Sequence, residues 1–131
     1  PWYHDGGEEL LRERLSDQSL RPQIIREMNE HSDAWENLYK AAATPDNILL
    51  AQFKNPELKP LTGKTLAEVA KMRGGSPEET AMDLLIEDKS RVGTIYFMMS
   101  EDNMRRQIQL PWVSFCSDSE SSAPEGVFLN S

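Results

Sequence analysis

The run Gly74-Gly75-Ser76-Pro77-Glu78-Glu79 constrains this chain more than any other, because it stops one helix and starts the next with almost nothing between them. Glycine lets the backbone leave a helix through left-handed conformations. Ser76 offers an N-cap oxygen, Pro77 fits a first turn where no backbone bond is lost, and Glu78 and Glu79 face the positive end of the helix dipole. Upstream, Thr65 with Glu68 three residues later forms a capping-box signature. A helix is therefore expected from there through Leu66, Val69 and Ala70 to the glycines. A second runs through Ala81, Met82, Leu85 and Ile86 to about Asp88.

The same logic organises the rest. Leu10, Leu11 and Leu15 follow the Asp5-Gly6-Gly7 turn at helical spacing, and Leu20, Ile24, Ile25 and Met28 form a second amphipathic stripe. Asp33 with Glu36 predicts the start of a third helix carrying Trp35, Leu38, Tyr39 and Ala42, which Thr44-Pro45-Asp46-Asn47 ends. Residues 47–53 read as a short strand and residues 55–63, with Pro56 and Pro60, as irregular. Further on, Val92-Gly93-Thr94-Ile95-Tyr96-Phe97-Met98 is a β-branched and aromatic run of strand length. A polar helical stretch from Ser100 to Leu110 and a second apolar run at 112–116 follow it. That order predicts a βαβ crossover with parallel strands. The tail from Ser117 to Gly126 is polar and reads as a loop.

Charge and composition narrow the function classes. Lys and Arg total 14 against 22 Asp and Glu, a net charge of −8, so nucleic acid is not an expected partner. No apolar run reaches the ~20 residues that span a bilayer, and no membrane or export signal is read. A single cysteine, Cys116, rules out an internal disulfide framework and points to a reducing compartment, with the cytoplasm expected. The chain opens on Pro1-Trp2 without an initiating Met and closes on an apolar triplet, Val127-Phe128-Leu129. These ends predict a piece of something longer.

Among candidate chemical groups, Asp118 stands just beyond an apolar strand, the edge at which α/β proteins mount catalytic side chains. A carboxylate there can take a proton from water or ligate a divalent ion. From position alone, a solvated Asp in a Ser/Glu-rich loop explains it more simply. Cys116 reads as a buried strand cysteine rather than a nucleophile, since neither His4 nor His31 is near it in sequence. The two histidines make no metal-ligand spacing. Met98 and Met99 read as core filling or as pocket lining. Arg105 and Arg106 read as a solvated face with Glu101 and Asp102. Leu58 stands where a P-loop would need glycine, so Gly63-Lys64-Thr65 is not one.

Taken in order, several stretches resemble the later part of N-acyl-D-amino-acid deacylases, the D-aminoacylase branch of the amidohydrolase superfamily. They are Pro1-Trp2 with Asp5-Gly6-Gly7, Trp35-Glu36-Asn37-Leu38-Tyr39, residues 63–70, Gly74-Gly75-Ser76-Pro77, residues 91–101, and Pro111-Trp112-Val113 leading to Ser117-Asp118. The resemblance covers nearly the whole chain and rests on the succession rather than on any one piece. It implies an α/β fold, a fragment of a metal-dependent (β/α)8 barrel, in which zinc-activated water attacks the amide of an N-acyl-D-amino acid. Residues 1–62 would be a helical and loop-rich insertion near the active site, and residues 63–131 the last, incomplete βα units, with barrel strands at 92–98 and 112–116. Asp118 matches the family's general base and is a candidate metal ligand; Met99 matches a substrate-pocket position. The H-x-H pair, the cysteine ligand and the later histidines that hold zinc in the family would lie before this sequence. The His-Pro-Arg stretch that grips the substrate carboxylate would follow it. Ser119 replaces the family's usual glycine.

Two expectations result. The first is a hydrolase piece, inactive and without bound zinc when isolated, that self-associates through faces its missing strands would cover. The second is an acidic, mostly helical interaction module in which the Asp118 region is only a tail.

Overall fold

The computed structural model describes residues 2–89 and 91–116. Among these residues the fold is mixed α/β, with short helices and one two-stranded sheet. The chain divides into two compact units, Pro1–Met98 and Met99–Ser131.

In the first unit, helices α1 (Glu8–Ser16) and α2 (Arg21–Asn29) occupy the two predicted amphipathic stripes. The third helix differs from expectation. Asp33 caps nothing and instead meets His31 at 3.1 Å, while α3 is a single turn, Leu38–Ala41, capped by Asn37. Asn37 wins because its side chain serves both neighbours. Its Oδ1 accepts the Lys40 amide at 3.0 Å, and its Nδ2 donates to the Met28 carbonyl near the end of α2 at 2.9 Å.

The punctuation around residue 75 agrees with its sequence. Helix α4 (Leu66–Arg73) opens on a complete capping box, with Thr65 N–H donating to Glu68 at 2.8 Å and Glu68 N–H to Thr65 Oγ1 at 3.2 Å. It closes on Gly74 at φ 70°, a left-handed cap that glycine adopts without a Cβ clash. Ser76 then caps α5 (Pro77–Asp88). Asp88 is an acid at the unfavourable end of the helix dipole, yet it is buried and anchors the proline-rich loop, because its Oδ1 accepts the Asn55 amide at 2.8 Å.

The sheet corrects the sequence reading most. Strand β1 (Ile48–Gln52) pairs antiparallel with β2 (Gly93–Tyr96), with Ile48 opposite Tyr96 and Leu50 opposite Thr94. On its other edge β1 meets the 63–65 turn, where Leu50 N–H donates to Lys64 and Gly63 N–H to Leu50. The expected parallel βαβ unit does not form among the described residues. Residues 111–116 carry no strand; the Val113 amide instead bonds back to the Leu110 carbonyl at 3.1 Å. Pro111 just inside that turn presets the bend. The second unit holds α6 (Glu101–Gln107), capped by Ser100.

Where β1 carries an extra residue between Leu50 and Gln52, Gly93 faces Gln52. A Cβ on Gly93 would lie 2.8 Å from the Gln52 Cβ, too close for any side chain. Gly93→Ala is expected to cost about 1–3 kcal/mol in urea denaturation; an unchanged midpoint would mean that the strands part easily.

Two buried clusters make the core of the first unit. One gathers Ile48, Leu50, Leu66, Val69 and Leu84 from the sheet, α4 and α5, with Phe53 just past β1. The other gathers Tyr3, Leu15, Ile24 and Met82 from the N-terminal helices and α5. Helix α5 supplies both, so the sharply punctuated helix is the one the unit is built around. No helix among the described residues is long and apolar enough to cross a membrane.

Candidate functional site

The segment leading to Asp118 is the site that the sequence singles out. Asp118 itself lies outside the described residues. The residues before it are described up to Cys116, and they are unusually exposed. Met99 is 84% accessible, Trp112 76% and Phe115 73%; Phe97, Met98, Met104, Ile108 and Leu110 are exposed as well. Met98 and Met99 therefore do not fill the core, and Cys116 is neither buried nor in a strand. Arg105 lies 3.3 Å from Glu101 one helical turn away, the solvated pairing expected of this face.

His4 is exposed, and partial desolvation together with the nearby Arg91 lowers its pKa despite the opposing influence of Asp5. His31 pairs with the exposed Asp33. Among the described residues no three His, Cys, Asp or Glu side chains gather closely enough to hold a metal ion.

A titratable cluster that joins three helices is not legible in the sequence. Glu78 Oε1 accepts from Tyr39 Oη at 2.8 Å and from Asn29 Nδ2 at 3.0 Å, tying α5 to α3 and α2. Partial burial works to raise the Glu78 pKa. The hydrogen bonds from Asn29, the Glu78 backbone amide, Tyr39 and Ser76 outweigh it and hold the carboxyl below its ordinary range. Tyr39 is pushed upward, by burial first and then by its bond to this carboxylate. A group depressed in the folded state stabilises above its unfolded pKa, near 4.5, and loses that contribution as pH falls through the lower folded value. Thermal melts from pH 7 to 3 should therefore fall less steeply for Glu78→Gln than for the unsubstituted chain. Parallel curves would remove the cluster from the acid response.

The cluster is a structural tie, since its carboxylate is already committed to its neighbours. No family model, curated protein or solved structure matches the chain.

Proposed function

We propose that this chain is part of a metal-dependent hydrolase that cleaves the amide bond of N-acyl-D-amino acids, of the D-aminoacylase type. The observation that carries the reading is the ordered succession of family-like stretches from Trp2 to Asp118. In this reading residues 63–131 supply the last βα units of a (β/α)8 barrel and residues 1–62 a helical insertion beside the active site. A cytoplasmic location goes with it, because one cysteine calls for no oxidising compartment.

Asp118 then acts as general base. Its carboxylate takes a proton from the attacking water as the new C–O bond forms, and returns it to the amine as the C–N bond breaks. Met99 contributes an adaptable apolar surface to the substrate pocket. The described His, Cys, Asp and Glu side chains do not fit a zinc site, since no three of them gather. The family's zinc ligands belong to other parts of such an enzyme.

Alone, the chain is expected to be inactive and to self-associate, because its strands cannot close a barrel and it exposes Phe97, Met99, Trp112 and Phe115. Sedimentation velocity across a concentration series checks this; a monodisperse monomer at high concentration contradicts it. The same exposed side chains favour a second reading, an acidic helical interaction module without catalysis. The open reading frame that contains the chain separates the two. An H-x-H pair before it and a His-Pro-Arg stretch after it support the hydrolase, and their absence supports the module.

A further inference from the structure

The two core clusters of the first unit do not close on each other everywhere. A cavity of about 370 Å³ lies beside both, with Ala81, Val92 and Tyr96, which pack on the first cluster, on one side and Leu11, Met28 and Leu85, which pack on the second, on the other, all partly buried. Native interiors hold few voids larger than a water molecule, whereas small-molecule sites occupy roughly 300–1,000 Å³. This cavity is of the second kind. Its rim reaches solvent where His4 and Glu36 are exposed.

The chemistry of the lining selects the occupant. Most of the residues that line it are apolar, and among the described residues no fully buried side-chain nitrogen or oxygen lacks a hydrogen-bond partner. The Asn37 amide is engaged with Met28 and Lys40, and the Tyr39 hydroxyl with Glu78. Glu36 is the only Asp, Glu, Lys or Arg among the residues that line the cavity, so an anionic head group would meet a carboxylate with no Lys or Arg to offset it.

We infer that this cavity binds a small, uncharged apolar molecule. The inference stands apart from the hydrolase reading, because every lining residue belongs to the first unit and none is Asp118 or Met99.

N-phenyl-1-naphthylamine, an uncharged fluorophore that brightens in apolar surroundings, tests it on the 131-residue chain. Saturable binding is expected, displaced by decanol and not by decanoate. Ala81→Phe, which places a ring in the cavity, should weaken the probe at least tenfold without lowering the melting temperature. Leu38→Trp, another change in the lining, should also weaken it, and it carries the test if Ala81→Phe does not fold. The double substitution Trp112→Ser with Phe115→Ser should leave binding unchanged. The inference is overturned by unaltered binding in a folded cavity variant, by loss of binding in the Trp112/Phe115 variant, or by equal displacement by decanoate. Probe binding that disappears as the protein concentration rises would show a second copy filling the space, and would overturn it too.

Discussion

On the proposed hydrolase reading, Asp118→Asn in the protein that carries this chain is expected to lower turnover of an N-acyl-D-amino acid by about 10²–10⁴-fold, the usual range for loss of a general base. Asparagine keeps the size and hydrogen-bonding reach of aspartate but has no carboxylate to hold the proton between water and the departing amine. The loss should therefore fall on kcat more than on KM, and the metal content should stay largely as it was, since the family's other ligands lie elsewhere. Release of free D-amino acid at saturating substrate, with metal analysis of the same sample, checks both parts. Unchanged turnover would remove Asp118 from the role.

The largest stability effect is expected at Arg21. Its guanidinium belongs to a residue only 8% exposed, with Nε donating to the Leu15 carbonyl at 2.8 Å and Nη2 to Asp83 Oδ1 at 2.6 Å, so it joins the end of α1 to the middle of α5. Arg21 is the buried member of this pair, so removing Asp83 costs more than the pair contributes, because the guanidinium is left without compensation in a poorly solvated place. Asp83→Ala should therefore destabilise the chain by about 3 kcal/mol, leaving Arg21 with the Leu15 carbonyl alone of these two partners. Arg21→Met removes the buried charge and refills much of its volume, while the partly solvated Asp83 tolerates being alone; it should cost only about 1 kcal/mol. Urea denaturation of the two variants decides the order. Equal losses, or a greater loss for Arg21→Met, would show that packing rather than charge governs the site.

What is legible in the sequence is local. Thr65 with Glu68, Gly74, and Ser76 with Pro77 act within a single helical turn, and the structure uses each as its chemistry suggests. Asn37 gives no such signal, because its worth lies in contacts with two elements at once: a cap for Lys40 and a partner for Met28. The Asp33 and Glu36 pair has the right spacing but no comparable second contact. Strand pairing is the least legible. The run at 92–98 has the composition of a strand, and nothing in it distinguishes a parallel neighbour at 112–116 from an antiparallel one at Ile48–Gln52. The irregular register beside Gly93 is an expression of that tertiary choice. Of the candidate site, Met99 is placed in the open and Asp118 lies beyond the described residues, so the sequence remains the ground for both roles.

The most direct measurement is hydrolysis by the full-length protein that contains this chain, supplied with zinc and given matched N-acetyl-D- and N-acetyl-L-amino acids. The hydrolase account predicts release of acetate and free amino acid from the D substrates, with the L substrates cleaved at least a hundredfold more slowly. No cleavage of any D substrate by the folded, zinc-loaded protein would contradict it.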